Sequence, residues 1–562
     1  MRNGILSKII IFAIIAVSIL VRFYQLGNVP NGISPDEADI GYNAYSILKT
    51  GKSIYGKPFP VFFKSFDVNV GGLTIYSKVP AIYLFGLNDF SIRFIPAAFG
   101  VLATITIYFF MKFLFPKDKY IKFISTFTFA VSPWAVEISR TAFGHVDIIL
   151  FYLLSLTFFI FGLKRNNKFL LISALFVGLT LYIYSAAIIY LPLLLIVTGF
   201  VYRKKIMQNI SVSLLALMII LIISFPAIKF YSSAQSRTRF SSISVFTPEV
   251  TLPISISEMN YDQNRGLSFS NFIHNRRFVY LDALVENYLK YLSLDYLFVN
   301  AKDTRYFYIN NVGLFYLVEL PFFLLGLYRM VKRRSDSDKL ILGLLVVGPI
   351  PAIVTLGTAY PHRALLMLLA IQLISIIGMS TALAALRGRF RKKFFNAVII
   401  SLGFVYSLNI LFFFHQYFIH TPQEFTSEND NGAWFSTVRD IIPYINQNKN
   451  NYQKIIFTWS QGKLVPAIYF LFYNKTNPII LQKLASELNG NFVSYKQLYA
   501  QIGKIQFRPI DWANDKNLKN ALLIGYPSEF PEEVSGVIDQ TYLPDGKIEF
   551  RFVEVNTHLP GE

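Results

Sequence analysis

The chain has no cysteine among its 562 residues, and only 15% of them are charged. The lack of cysteine excludes a disulfide framework, a thiolate nucleophile and a cysteine metal site. The six histidines are scattered singly, so they provide no spaced set of metal ligands. Hydrophobic residues make up 54% of the chain, more than a water-soluble fold of this size can bury. The composition therefore predicts a polytopic α-helical membrane protein.

Apolar runs long enough to cross a bilayer, about 17 to 25 residues each, recur along the first three quarters of the chain. About eleven spans are predicted, near residues 5–24, 91–113, 121–139, 146–163, 168–184, 186–202, 209–231, 309–330, 339–358, 363–386 and 394–418.

Basic residues are concentrated in alternate loops between these spans. Lys and Arg cluster near residues 117–122, 164–168, 203–205, 332–334 and 387–393. The positive-inside rule predicts that these loops and the amino terminus lie on the cytoplasmic side of the plasma membrane. Most of the net charge of +20 then comes from these cytoplasmic loops. Because the charges are scattered over helix ends, they argue against nucleic-acid binding.

Three segments are then predicted to lie outside the cell membrane, near residues 25–90, 232–308 and 420–562. In the last of these, 452–459 and 521–526 have the pattern of buried strands, and 432–447 that of a helix. We expect a transmembrane domain over residues 1–419 and an extracytoplasmic α/β domain over 420–562.

Asp36 and Glu37 lie about a dozen residues beyond the first span, in Ser34-Pro-Asp-Glu-Ala-Asp39. A carboxylate held at a membrane surface is a candidate for proton abstraction, because partial desolvation raises its basicity. The same sequence is a good helix start, so Asp36 as the N-cap of a helix beginning near Ala38 is the alternative.

Several motifs, taken in order, resemble one family of membrane enzymes. After Asp36-Glu37 come Asn69–Tyr76, Phe90–Gly100, Ser132-Pro-Trp134, Ser139–Asp147, Gly313–Pro321 and Tyr360-Pro-His-Arg363. This series resembles the polyprenyl-phosphate-sugar-dependent glycosyltransferases of the GT-C superfamily, with the protein O-mannosyltransferase and aminoarabinose transferase families nearest. The resemblance spans about residues 5 to 420.

The resemblance implies that Asp36 is the catalytic carboxylate and activates the acceptor nucleophile. The sugar would leave its polyprenyl phosphate with inversion, and a protein, lipid or glycan would accept it. Glu37 is a weaker candidate, because adjacent residues point in different directions. Asp147 resembles the second acidic position of aminoarabinose transferases; a helix-start acid favoured by the helix dipole is its alternative.

Cations are needed for the donor phosphate, and the resemblance points to Arg305, Arg363 and His362, with Arg93 and Arg140 behind them. Arginine binds phosphate bidentately. Snorkelling toward lipid headgroups is the alternative for Arg305 and Arg363.

No cofactor is predicted, and a divalent metal has little support. Relatives often carry a His or Lys before Pro-Pro-Leu, where this chain has Val70-Gly-Gly-Leu73.

Two other classes of function remain open. A multi-span lipid-sugar transporter is expected to show inverted repeats, which the sequence lacks. A noncatalytic envelope-assembly protein on the same fold would keep lipid binding without turnover.

Overall fold

The structure is a computed structural model that describes residues 2–66, 68–233, 244–267, 269–301, 309, 311–357, 359–421, 434–459, 465–488, 494–543 and 546–555. The chain divides into two compact units, each built from separate stretches. The helical unit comprises residues 1–22, 99–139 and 145–413. The mixed unit comprises residues 23–98, 140–144 and 414–562.

Long apolar helices confirm the prediction of a multi-pass helical membrane protein. Among the described residues, seven helices are long and apolar enough to cross a membrane: Ile5–Phe23, Asp89–Leu114, His145–Lys164, Ala187–Gln208, Ile210–Tyr231, Leu365–Arg389 and Lys392–His420. Each of them coincides with one of the predicted spans.

The other four predicted spans contain shorter or interrupted helices: Ile121–Val131 with Pro133–Ile138, Phe169–Leu179 with the 3-10 turn Thr180–Tyr182, the turn Leu317–Glu319 with Leu320–Arg333, and Asp336–Val347 with Ile350–Ile353. Pro133, Pro321 and Pro349 lie at these interruptions, where a proline removes a backbone donor and clashes with the preceding turn. A count of eleven crossings stays a prediction.

The described part of the second predicted external segment is helical, with helices Pro248–Gln263, Ser270–Ile273, Arg276–Tyr291 and Leu294–Phe298.

The mixed unit contains a six-stranded sheet in the order Gln501–Ile502, Ile505–Phe507, Lys454–Phe457, Ala521–Gly525, Ile548–Val555 and Val537–Tyr542. The three strands around Lys454–Phe457 are parallel, and the outer pairs are antiparallel. The predicted strands near 452–459 and 521–526 are confirmed. The predicted helix near 432–447 begins at Val438 and ends at Asn448, and residues 432 and 433 lie outside the described residues.

Helices and a hairpin complete this unit: Pro35–Thr50, Gly72–Tyr76, Val79–Phe85, Pro466–Tyr473, Pro478–Glu487, Tyr495–Leu498 and Trp512–Asp515, with strands Phe62–Ser65 and Val68–Gly71.

One hydrophobic core joins the first predicted external segment to the C-terminal segment. Buried Ile33 and Tyr42 belong to the same cluster as Ile441, Phe457 and Phe472. The division predicted at residue 419 assigned residues 25–90 to the transmembrane domain, whereas their apolar side chains pack with those beyond residue 434. Burial of this shared core holds helix Pro35–Thr50 in place.

Candidate active site

Helix Pro35–Thr50 begins with a capping box formed by Ser34 and Glu37. The Ser34 hydroxyl accepts from the Glu37 amide at 3.2 Å, and Glu37 Oε2 accepts from the Ser34 amide at 3.3 Å. Proline at the first helical position suits this start because its fixed φ is already helical. Ser34 is therefore the N-cap, and the interpretation of Asp36 as the N-cap is wrong. Asp36 lies at the second helical position.

Glu37 and Arg93 form a buried ion pair within the mixed unit, with both side chains 0% exposed. Arg93 donates from Nε to Glu37 Oε1 at 3.0 Å and from Nη2 to Oε2 at 2.9 Å. Glu37 Oε1 also accepts from the Ala142 amide at 2.9 Å. The remaining Arg93 donors reach the carbonyls of Pro30 and Gly32 at 3.0 and 2.6 Å. These contacts give Glu37 and Arg93 a structural role, and the catalytic role of Glu37 and the phosphate-binding role of Arg93 stay predictions.

Arg140 is also buried in the mixed unit and bound to backbone. Its Nη2 donates to the carbonyls of Tyr24 and Val29, both at 2.9 Å. The guanidinium lies 5.5 Å from the ring centre of Tyr417 and 4.9 Å from that of Phe418. Cation–π contact and carbonyl hydrogen bonds stabilise a buried guanidinium. Arg140 therefore holds the chain that follows the first helix, and its contact with the donor phosphate stays a prediction.

Asp36 and Asp39 lie three positions apart on helix Pro35–Thr50, and this spacing places them on one face. Asp36 is partly exposed, whereas Asp39 is fully buried. Asp39 accepts from Asn43 Nδ2 at 3.1 Å and from the Tyr499 hydroxyl at 3.4 Å. Asp39 lies within the motif Ser34–Asp39, but no role was predicted for it from the sequence. Its spacing of three residues from Asp36 is the signal that could have identified it.

The two carboxyl groups differ in environment. Burial raises the pKa of Asp39 to about 7, against opposing hydrogen bonds from Ser65, Tyr499 and Asn43, and the charge of Asp36 adds to the rise. Asp39 is therefore largely protonated below neutral pH, and Asp36 carries the negative charge of this helix face. Adjacent carboxyls with separated protonation are typical of acid–base sites.

We expect Asp39→Asn to gain thermal stability over the wild type as pH rises. The folded-state pKa of about 7 exceeds the ordinary 3.8. The stability conferred by the protonated group is thus complete below about pH 4 and is lost as pH rises to about 7, by at most about 1.4 kcal/mol per pH unit. Melting temperatures of both proteins between about pH 4 and pH 9 test this. A difference that does not change with pH would contradict it.

The helical unit holds a second cluster of predicted site residues. His145 and His362 stack at 4.7 Å between ring centres, with an interplanar angle of 21°. Burial, with His145 and Arg363 nearby, holds the pKa of His362 well below its usual range. His362 is therefore a neutral donor toward an anion rather than a cation. Asp147 is buried in the first turn of helix His145–Lys164, two residues beyond His145.

Arg363 keeps more of its donors available than Arg93 or Arg140. Its Nη1 donates to the Thr355 hydroxyl at 2.8 Å and, at 3.3 Å, to the Leu356 carbonyl, and the side chain is partly exposed. Among the described residues, neither Nε nor Nη2 of Arg363 has an acceptor. Arg305 lies outside the described residues.

The described side chains of these clusters do not form a metal-binding site. Within the part of the chain that the structure describes, no group of three His, Asp or Glu side chains is arranged to hold a metal ion. The stacked pair of histidines provides two nitrogen ligands at most, which is fewer than structural or catalytic zinc requires.

Comparison with known proteins supports the resemblance indicated by the motifs. Residues 80–230 match the family model of dolichyl-phosphate-mannose-protein mannosyltransferases. No curated protein matches the sequence.

Solved structures share the fold at low identity. ArnT from Cupriavidus metallidurans in the apo state has a TM-score of 0.53 and 11% identity, over 99% of both chains. ArnT bound to undecaprenyl phosphate has a TM-score of 0.52 and 11% identity, over 98% of this chain and 99% of the other. The archaeal oligosaccharyltransferase AglB from Archaeoglobus fulgidus, with an inhibitory peptide and a dolichol-phosphate, has a TM-score of 0.50 and 14% identity, over 84% of this chain.

The chain spans 61% and 64% of the archaeal oligosaccharyltransferase in two of its structures. The resemblance to GT-C glycosyltransferases is confirmed. At these identities the solved structures show a shared fold and nothing beyond it.

Proposed function

We propose that the chain is a membrane glycosyltransferase that moves a sugar from a polyprenyl-phosphate donor to an acceptor on the extracytoplasmic side, with inversion. The observation that carries this proposal is the contrast between two adjacent carboxylates. Glu37 is buried against Arg93 and forms the capping box, whereas Asp36 is partly exposed and takes no part in that box. The helix start does not require Asp36, so this carboxylate is suited to act as the base.

In the proposed reaction, Asp36 accepts the proton of the acceptor nucleophile as that nucleophile attacks the anomeric carbon. The bond from the anomeric carbon to the phosphate oxygen breaks, and its electron pair stays on the lipid phosphate. Phosphate is a good leaving group, so the enzyme needs a base for the acceptor and positive charge for the phosphate. Below neutral pH, protonated Asp39 avoids a second negative charge on the helix face that carries Asp36.

Arg363 is our proposed cation for the donor phosphate, with His362 as a neutral donor beside it. We expect Arg363→Gln to raise the donor KM about 10-fold or more, since a charged hydrogen bond lost from a partly desolvated site costs about 2 kcal/mol. Initial rates at varied donor concentration measure this effect. Arg329→Gln is the matched control, because Arg329 also donates to a threonine hydroxyl, that of Thr381, at 2.7 Å. An unchanged KM in Arg363→Gln would favour the snorkelling interpretation.

Asp147 is proposed as a second acidic participant, and Arg305 as a second phosphate ligand.

The identity of the transferred sugar is open, and so is the acceptor, which is a protein, a lipid or a glycan. Mass spectrometry of glycans on proteins and lipids, from cells with and without the gene, identifies both. No difference in any glycan would count against a transferase and favour a noncatalytic role.

For orientation, we propose a cytoplasmic amino terminus and an extracytoplasmic segment beyond residue 420, as the basic loops predict. A reporter fused after Glu562 tests this proposal. Activity of a reporter that functions only in the cytoplasm would contradict it.

A further inference from the structure

A cavity of about 720 Å³ lies where four helix ends of the helical unit meet. It is lined from the start of helix Arg2–Phe23, the end of Asp89–Leu114, the start of Ile121–Val131 and the end of His145–Lys164. Three of these helices are long and apolar enough to cross a membrane, so the cavity lies at the level where such helices leave the bilayer. We call it the basic pocket, and none of its lining residues belongs to the clusters of the candidate active site.

Five of the residues lining the basic pocket are basic: Lys112, Lys119, Lys122, Lys164 and Arg165. Asp118 is the one acidic residue that lines it. The Asp118 carboxylate accepts from the amides of Tyr120 and Ile121 at 3.0 and 3.1 Å and from the Ser380 hydroxyl. These contacts hold Asp118 at the start of the next helix, and among the described residues it forms no ion pair with the basic residues of the pocket.

Two of the five cations have partners of their own. Lys164 Nζ donates to the Phe113 carbonyl at 2.7 Å, and Lys122 Nζ lies 5.0 Å from the ring centre of Phe123. Lys112, Lys119 and Arg165 are exposed, and among the described residues none of the three has an ion-pair partner. The pocket therefore has three cations available for an anion.

The rest of the wall is apolar and aromatic. Leu6 and Ile10 are 57% and 39% exposed, and the rings of Phe113 and Phe161 lie 5.0 Å apart. A free phosphate uses the cations and leaves this wall in contact with water. A ligand that carries both a phosphate and hydrocarbon chains satisfies both parts, and basic pockets between helices at a membrane surface bind anionic lipid headgroups.

We propose that the basic pocket binds one anionic phospholipid, with the headgroup phosphate at Lys112, Lys119 and Arg165 and an acyl chain along Leu6 and Ile10. This site goes beyond the proposed glycosyltransferase activity and does not depend on it. By the distribution of basic loops, the lipid comes from the leaflet predicted to be cytoplasmic.

Native mass spectrometry of the purified full chain in neutral detergent tests the proposal, with phosphatidylglycerol and phosphatidylcholine of the same acyl chains as probes. The wild type is expected to retain one phosphatidylglycerol and to prefer it to phosphatidylcholine. The variant K112Q/K119Q/R165Q is expected to bind phosphatidylglycerol roughly 10²-fold more weakly, at roughly 5-fold for each cation. Its melting temperature without lipid checks that it folds.

The matched control is R389Q/R391Q/K392Q, which removes three exposed basic residues from the same predicted membrane face, none of which lines the pocket. It is expected to retain phosphatidylglycerol like the wild type. Equal retention of both lipids by the wild type would overturn the proposal, whether or not the triple variant folds. Equal loss in both triple variants would also overturn it, as general surface attraction. Displacement of the lipid by inorganic phosphate at millimolar concentration would reassign the pocket to a free phosphate.

Discussion

Asp36→Asn is expected to lower sugar transfer by about 10² or more, the usual scale of general-base catalysis. The substitution keeps the size of the side chain but removes the base and its negative charge. Because the capping box is made by Ser34 and Glu37, the helix start stays intact. Loss of one first-turn charge costs at most about 1 kcal/mol through the helix dipole. Single-turnover transfer with a polyprenyl-phosphate sugar, together with the melting temperature, measures both effects.

Asp440→Asn is the matched control for this experiment. Asp440 lies in the first turn of helix Val438–Asn448 in the same mixed unit and is exposed. It should leave transfer unchanged. Donor binding should survive in Asp36→Asn, which separates a lost base from a lost binding site. Near-normal transfer by Asp36→Asn would remove Asp36 from the mechanism and make Asp147 the next residue to replace.

The parts of the fold that depend on local pattern were predictable from sequence. Long apolar runs gave the seven long helices, and short β-branched and aromatic runs gave strands Lys454–Phe457 and Ala521–Gly525. The helix start at Ser34 was also visible, but the pattern left open which residue caps it. Ser34 at the N-cap with Glu37 three positions later is a capping box, and that spacing decides the question.

Contacts between distant residues were not predictable in this way. Glu37 and Arg93 are 56 positions apart, and His145 and His362 are farther apart still. Each of these residues, taken alone, is a candidate site residue because of its chemical type. Only the fold shows that Arg93 and Arg140 donate hydrogen bonds to backbone carbonyls of the protein, whereas two nitrogens of Arg363, Nε and Nη2, have no acceptor among the described residues. The sequence alone therefore proposes candidate site residues and does not rank them.

Glu37→Gln is expected to destabilise the mixed unit by about 3 to 5 kcal/mol, because it leaves the Arg93 guanidinium buried without its negative partner. Both side chains are 0% exposed, and the Ala142 amide also depends on the Glu37 carboxylate. The melting temperature and the yield of folded protein in detergent measure the loss. Glu286→Gln is the control. It breaks the exposed Lys290–Glu286 pair, 2.9 Å apart, where a loss below about 1 kcal/mol is expected.

The double variant Glu37→Leu with Arg93→Met separates a structural pair from a catalytic residue. Replacing both charges with apolar side chains removes the unpaired charge, and such replacements of buried pairs are often neutral or stabilising. Much of the stability lost in Glu37→Gln should therefore return in the double variant. If Glu37→Gln instead kept its stability and lost only transfer, Glu37 would be a reacting group, and the division of roles between Asp36 and Glu37 would have to be reversed.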